Sequence, residues 1–224
     1  MVAIVAPRIT CGVSSTVHYD ILASDSMSNI LIAILLALAS QFFYLFFLWK
    51  YLREDFDISM IFSFGFLTYI GLIVGLIIGG LLTMFWYWVA LGVFFIVYFL
   101  LFRKSEFKIY ELIESSAPGL IFFHTMLYLY GVTVQSLALI PFIGTMLILV
   151  LFFVLKRNYK KFTWYESGKL GFASMASLGI LFLVRAVISL LPITIFSFNR
   201  VVEFIPAAIL SFICFFSLYN LSER

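Results

Sequence analysis

The sequence predicts an all-α fold, a polytopic membrane bundle of seven transmembrane helices. Hydrophobic residues make up 64% of the 224-residue chain and charged residues only 11%. A soluble domain of this length could not bury so much apolar surface. Most of the 14 Lys and Arg residues fall in four short clusters, which long uncharged stretches separate. The uncharged stretches supply the helices, and the clusters fix their number and orientation.

The four basic clusters mark one side of the membrane, because short loops rich in Lys and Arg stay on the cytoplasmic side. They are KYLRED at 50–55, RKSEFK at 103–108, KRNYKK at 156–161 together with Lys169, and the chain end at Arg224. Two loops on the same side must be joined by an even number of crossings.

The first span is the apolar run at 30–49, before the first basic cluster. Each of the three longer uncharged stretches has room for a hairpin of two helices, because one crossing needs about 20 apolar residues. The first hairpin has an aromatic tip at 84–88, a composition suited to the membrane–water interface. The second turns near 131–136, and the third is broken by Pro192 and Asn199. The predicted spans are therefore residues 30–49, 58–83, 86–102, 109–131, 137–155, 170–191 and 201–221.

One span and three hairpins place the amino terminus outside and the carboxyl terminus in the cytoplasm, with the plasma membrane as the expected location. Residues 1–27 then form an external segment, which we expect to be a strand or a coil. The apolar run at 2–6 is too short for a signal-peptide core, so the first span acts as its own signal. Cys11 and Cys214 are too far apart in this topology for a disulfide.

Composition and motifs argue against several functional classes. The net charge of +3 comes from the cytoplasmic loops and indicates attraction to anionic lipids rather than to nucleic acid. The sequence contains no Walker loop, dinucleotide fingerprint or CxxC motif. A single His within the spans excludes bis-His haem, and no Cys or carboxylate cluster has the spacing of metal ligands. We therefore expect neither a metal nor a cofactor.

Few ionisable residues fall within the spans, and each is a functional candidate because a charge in hydrocarbon is costly. His124, Arg185 and Glu203 fall at a similar depth, in the outer third of the bilayer, by the helical rise of about 1.5 Å per residue. Tyr128 lies one turn from His124, and Arg200 lies at the external start of the last span. These residues predict a polar group near the external leaflet.

Two interpretations of this polar group are open. In the first, Arg185 binds a phosphate or carboxylate as a fixed cation, His124 donates a hydrogen bond or moves a proton, and Tyr128 adds a hydroxyl. In the second, Arg185 pairs with Glu203 or extends to the outer headgroups, and His124 is a satisfied structural group.

A run of small residues on the second span predicts close helix packing. Gly71, Gly75 and Gly79 recur at intervals of four residues, the spacing that lets two helix backbones approach each other. Most of the predicted helices lack a polar face, so we expect them to pack against lipid or against other subunits.

Several stretches follow the pattern of a known family. Gly79-Gly80 precede aromatic residues at the end of span two, and KIYELIESSAPGL at 108–120 leads from a basic loop into a Pro-containing helix. Residues 171–185 end in an Arg, and residues 201–224 have a basic end. In these stretches the chain resembles the bacterial prolipoprotein diacylglyceryl transferase family, which has seven spans with the amino terminus outside. The resemblance implies a functional role and a bound anionic lipid for Arg185.

The main catalytic motifs of that family are absent from the matching places. WVALG at 88–92 stands where the family has His-Gly-Gly. Residues 127–130 contain neither the Arg nor the Asn of its Gly-Arg-x-Gly-Asn-Phe signature. The resemblance therefore implies that the chain has the fold of this family but lacks its acyl-glycerol transfer activity.

The sequence thus favours a non-catalytic membrane subunit or accessory protein that binds membrane lipids and packs against other membrane proteins. One alternative is a lipid-modifying, transferase-like enzyme that uses His124 and Arg185. The other is a small-solute transporter, which only the number of spans favours. Transporters usually carry several buried carboxylates or broken helices near the midplane of the bilayer, whereas this sequence places almost no ionisable residues there.

Overall fold

The structure is a computed structural model that describes residues 15–81, 86–135, 139–158, 171–190 and 200–222, with the side chains of 28–81, 86–133, 139–158, 171–190 and 203–221. As predicted, these residues are all-helical, and no strand occurs among them. The helices are α1 Ser15–Leu52, α2 Ile58–Leu81, α3 Trp86–Lys104, α4 Ile109–Gln135, α5 Leu139–Asn158, α6 Phe172–Leu190 and α7 Arg200–Ser222.

Among the described helices, six are long and apolar enough to cross a membrane. They are α2, α3, α5 and α6, together with Ser28–Leu52 of α1 and Glu203–Leu221 of α7. The chain is therefore a multi-pass integral membrane protein. α4 is not among the six, and its 27 residues include the polar side chains of Glu111, Glu114 and His124.

α1 is much longer than the span predicted at 30–49. It comprises 38 residues, about 57 Å at 1.5 Å per residue, whereas the hydrocarbon core is about 30 Å thick. Residues 15–27, which we expected to be a strand or a coil, are helical. They contain neither Pro nor Gly, and extending an existing helix gains one hydrogen bond for each added residue. Residues 1–14, with Cys11, lie outside the described part of the chain.

α6 lies at the centre of the bundle. Of the residues in the most apolar 18-residue stretch of α6, 67% are buried, compared with 17% in the corresponding stretches of α1 and α5. Small side chains on α6, such as Ala173 and Ser177, let its neighbours α4, α5 and α7 approach closely. The hydroxyl of Ser211 on α7 donates to the Gly179 carbonyl at 3.0 Å, across this contact. A polar residue on α6 is therefore surrounded by protein side chains rather than by lipid.

The predicted glycine run lies at the contact between α2 and α3. A Cβ added to Gly75 would lie 2.7 Å from the Cα of Ala90 on α3. Gly79 faces the backbone of Trp86, and Gly71 faces the side chain of Val97. The absence of side chains at these positions is what lets the two backbones approach.

A buried carboxylate near the other end of the bundle fixes the start of α6. Oε2 of Glu114 accepts hydrogen bonds from the backbone N–H groups of Gly171 at 3.1 Å and Ser174 at 3.4 Å. N–H groups in the first turn of a helix lack intrahelical partners, and the helix dipole favours an anion there. Oε1 of Glu114 lies 3.6 Å from Nζ of Lys156, which also lies 3.2 Å from the centroid of the Tyr51 ring. Glu114 therefore joins the ends of α4, α5 and α6, and Lys156 extends this group to Tyr51 of α1.

Candidate functional site

Arg185 forms a buried ion pair between α6 and α7. It lies near the end of α6 and is only 6% exposed, and Glu203, in the first turn of α7, is 3% exposed. Nη2 of Arg185 donates to Oε1 of Glu203 at 3.1 Å. Burial of the Arg185 charge or the Glu203 charge alone would cost roughly several kcal/mol of folding free energy. In the ion pair each charge offsets that cost for the other.

Aromatic side chains from α3 and α4 enclose the guanidinium of Arg185. Its Cζ lies 3.6 Å from the ring centroid of Tyr87 and 5.7 Å from that of Trp88. Nη1 donates to the hydroxyl of Tyr128 at 3.4 Å. A planar, weakly hydrated guanidinium is well suited to stacking on ring faces, which carry partial negative charge. The cation is thus stabilised by three helices besides its own.

His124 uses both ring nitrogens in hydrogen bonds within the chain. Nδ1 donates to the carbonyl oxygen of Leu120 at 2.8 Å, since a carbonyl can only accept. In a neutral imidazole the other nitrogen is then an acceptor, and the Tyr87 hydroxyl donates to Nε2. Tyr87 therefore links His124 to Arg185, because the same side chain bonds the imidazole and stacks on the guanidinium.

These side chains form one connected group, which we call the Arg185 cluster: Arg185, Glu203, Tyr128, Tyr87 and His124. Three of the five, namely Arg185, Glu203 and His124, were predicted from the sequence to lie at a similar depth, and Tyr128 was predicted one turn from His124. The fold brings these four together. Arg185 contacts Glu203 and Tyr128 directly, and His124 is joined to it through Tyr87.

Tyr87 and Trp88 also belong to the site, although the sequence pattern predicted for them only a place in an interfacial aromatic tip. Both lie in the first turn of α3, which places them close to the end of the bundle where Arg185 lies. Matching aromatic residues to a buried Arg by depth along the helices would have identified them. The side chain of Arg200, the remaining predicted residue, lies outside the described residues.

The composition of the Arg185 cluster limits its chemistry. Within the described residues, no group of three His, Cys, Asp or Glu side chains could hold a metal ion. The cluster contains one imidazole and one carboxylate, and the carboxylate is bonded to Arg185. A surface groove of about 490 Å³ lies along the outer face of α5, and no residue of the cluster lines it.

No protein-family model, curated protein or solved structure matches this chain. The resemblance to prolipoprotein diacylglyceryl transferases therefore stays a prediction from the sequence. The anionic lipid that this resemblance implies at Arg185 would have to lie beside the carboxylate of Glu203.

Proposed function

We propose that this chain is a non-catalytic integral membrane subunit or accessory protein that packs against other membrane proteins. One observation carries this conclusion: both ring nitrogens of His124 and both terminal nitrogens of Arg185 are hydrogen-bonded within the chain. A general base needs a nitrogen or carboxylate within hydrogen-bond reach of its substrate. His124 would have to release Tyr87 to become one, and Arg185 would have to share its charge between Glu203 and a substrate.

The lateral surface of α1 supports packing against a partner. Its outward face carries large apolar side chains that are each more than half exposed, namely Ile30, Leu31, Ile34, Leu35, Leu38 and Phe42. In addition, residues 15–27 extend the helix beyond the length that a bilayer needs. Lipid covers such a face in an isolated chain, and another membrane protein would cover it in a complex.

We further propose seven spans in a plasma membrane, with the amino terminus outside and the carboxyl terminus in the cytoplasm. α4 would be the seventh span. It packs against α1, α5 and α6, and its buried polar residues face protein rather than lipid: Glu114, Ser115, Ser116, His124 and Thr125. Intramembrane polar residues are tolerated in such surroundings.

Cysteine labelling tests this topology. In a background with Cys11→Ser and Cys214→Ala, we expect Ser136→Cys to react with a membrane-impermeant maleimide on intact cells. Tyr159→Cys should react only after the cells are opened. Both positions lie outside the described residues, so the expectation rests on the charge pattern. The reverse labelling would contradict the orientation, and equal labelling from one side would show that α5 does not cross.

Co-purification tests the proposed function. The tagged full-length chain, extracted from its own cells in a mild detergent, should elute with another membrane protein in a constant ratio, as measured by mass spectrometry. Phe42→Ala on α1 should lower the recovery of that partner several-fold, because truncating a central apolar anchor costs binding energy. Phe212→Ala on α7 is the matched control, since the two rings are exposed to 68% and 69%.

The proposed function would be contradicted by a monomeric protein that turns over a lipid substrate and loses this activity when His124 or Arg185 is replaced by Ala. A partner that remains bound to the Phe42→Ala and Phe212→Ala variants alike would contradict only the use of α1 as the docking face.

A further inference from the structure

The groove on the outer face of α5 has an apolar length and a polar end. Val150, Phe153 and Val154 line the apolar length, and Arg157 and Asn158 line the end. Side chains three and four positions apart share one face of a helix, so all five lie on one stripe. The 20 residues of α5 extend about 30 Å, which matches the hydrocarbon thickness. The stripe therefore runs from the hydrocarbon to the membrane–water interface, where the basic last turn of α5 lies.

The apolar length of the groove lies at the surface of the protein. Val150, Val154 and Phe153 are 57%, 49% and 38% exposed. The ring centroid of Phe153 lies 5.8 Å from that of Phe47 on α1, so α1 borders the groove on one side. The groove volume of about 490 Å³ is within the range of about 300–1,000 Å³ that ligand sites have. An acyl chain can therefore enter the groove from the side, out of the bilayer.

The polar end of the groove carries a cation that the described part of the chain does not neutralise. Within the described ranges, Arg157 is exposed and makes no ion pair, hydrogen bond or ring contact. By contrast, its neighbour Lys156 is paired with Glu114. Nζ of Lys50 and Nζ of Lys156 both lie within 6.0 Å of the ring centroid of Tyr51. Of these charged groups, three are cations and one is a carboxylate, an arrangement that attracts an anion.

Asn158 adds hydrogen-bonding groups beside Arg157. One N–H of its side-chain amide donates to the carbonyl oxygen of Val154 at 2.9 Å, which holds the amide at the end of the helix. The second N–H and the amide oxygen have no further partner among the residues that the structure describes. A planar guanidinium binds a phosphate through two parallel hydrogen bonds. The two side chains together can therefore bind the phosphodiester and a hydroxyl of a lipid headgroup.

We infer that the groove on α5 binds an anionic glycerophospholipid, with its phosphate at Arg157 and Asn158 and one acyl chain along the three apolar side chains. The net charge of the lipid decides the class. A zwitterionic lipid would bring its own cation towards Lys50 and Arg157, whereas an anionic lipid brings none. In the proposed orientation the lipid belongs to the cytoplasmic leaflet. The inference requires insertion in a membrane but not the role of an accessory subunit.

Lipid retention measured by native mass spectrometry tests the inference. The full-length protein is delipidated in detergent, mixed with equal amounts of dioleoylphosphatidylglycerol and dioleoylphosphatidylcholine, and released from the detergent in the spectrometer. The two lipids have the same acyl chains and differ in net charge. We expect the first bound lipid to be phosphatidylglycerol about five times as often as phosphatidylcholine. This ratio corresponds to about 1 kcal/mol, the attraction of one basic residue near the membrane surface for anionic lipid.

Replacing Arg157 assigns the preference to the polar end of the groove. Arg157→Gln keeps a polar side chain and removes the charge, and it should make the retention of the two lipids nearly equal. Arg103→Gln is the matched control, because Arg103 is also exposed in the basic last turn of a helix but does not line the groove. We expect the control to keep the fivefold preference.

Filling the apolar length tests the place of the acyl chain. Val154→Trp puts a large ring into the groove and should lower the retention of phosphatidylglycerol several-fold. Val187→Trp on α6 is the matched control, since Val187 is 52% exposed and Val154 is 49% exposed. All four substitutions are at exposed positions, and the melting temperature of each variant is measured first. The comparison of the two lipids on the natural protein stands even if a variant fails to fold.

Four outcomes would overturn the inference. Equal retention of the two lipids, or retention of neither, would show that the groove does not recognise an anionic lipid. The same loss of preference in Arg157→Gln and Arg103→Gln would show only a general attraction of basic loops. Retention unchanged by Val154→Trp would show that no acyl chain lies in the groove. A second protein chain, either another copy or a partner, that is released by Val154→Trp while the lipid stays bound would make the groove a protein-docking site.

The inference and the proposed function fail separately. The proposed function is tested by co-purification and by Phe42→Ala on α1, whereas the lipid measurements use the purified chain alone. A partner that docks on α1 is compatible with a lipid on α5, and either one can be present without the other.

Discussion

Replacing Glu203 by Gln should destabilise the protein by about 3–5 kcal/mol, because it leaves the Arg185 guanidinium buried without a counter-charge. Both side chains of the pair are about 95% buried, with 5% and 4% exposed, so water cannot take over the role of the carboxylate. Gln keeps the shape and a carbonyl acceptor, which isolates the loss of charge from the loss of packing. Thermal unfolding of the purified protein in detergent or nanodiscs, followed by near-ultraviolet circular dichroism, measures the effect.

Removing both charges should restore most of the lost stability. In the double variant Arg185→Met with Glu203→Leu no buried charge remains, and apolar replacement of a whole buried pair is often neutral or stabilising. Lys108→Ala is the control on the surface. Lys108 lies 3.1 Å from Glu111, but its side chain is 75% exposed, so we expect a change of less than about 1 kcal/mol. If Glu203→Gln were as mild as Lys108→Ala, the ion pair would not stabilise the contact between α6 and α7.

Replacing Gly75 by Leu should prevent α2 and α3 from packing and should reduce the yield of folded protein several-fold. The new Cβ alone would lie 2.7 Å from the Ala90 Cα and 2.9 Å from its carbonyl oxygen. Backbone atoms cannot rotate away, so the two helices must separate. Overpacking of this kind costs about 1–3 kcal/mol, and more where the backbone has to move. Yield and melting temperature after detergent extraction measure the result.

Gly80→Leu provides a matched control on the same helix. A Cβ at Gly80 would have no heavy atom within 4 Å, and the substitution adds the same apolar side chain with the same gain in helix propensity. We expect its yield and melting temperature to equal those of the natural protein. Gly75→Ala should fall between the two, because it adds only the Cβ. Normal yield and stability of Gly75→Leu would place position 75 against lipid instead of α3.

The helix positions could be predicted because charge is excluded from the bilayer. The predicted spans that begin at 58, 86 and 109 start at the same residues as α2, α3 and α4, since a basic loop precedes the first and third of them and the aromatic tip at 84–88 marks the start of the second. The extension of α1 to Ser15 could not be predicted this way. The part of a helix that extends beyond the hydrocarbon core does not need apolar residues. The sequence therefore contains no apolar stretch there that would mark the length of the helix.

The site was predictable in depth but not in its contacts. Counting residues from the basic loops placed His124, Arg185 and Glu203 at one level, and pairing of Arg185 with Glu203 was one of two open interpretations. The depth of a residue follows from its position along one helix. Which side of that helix it occupies depends on how the helix is rotated, and the apolar residues all around these helices give no preferred face.

The sequence by itself therefore determined that this is an all-helical, multi-pass membrane protein, because the bilayer acts on each residue separately, through its cost of transfer into hydrocarbon. Only the tertiary structure decided that Tyr87 stacks on Arg185 and bonds His124, and that Glu114 fixes the start of α6. These contacts depend on which helices are neighbours and how closely they approach. Small residues such as Gly75 and Gly79 set that approach, and their effect exists only once two helices meet.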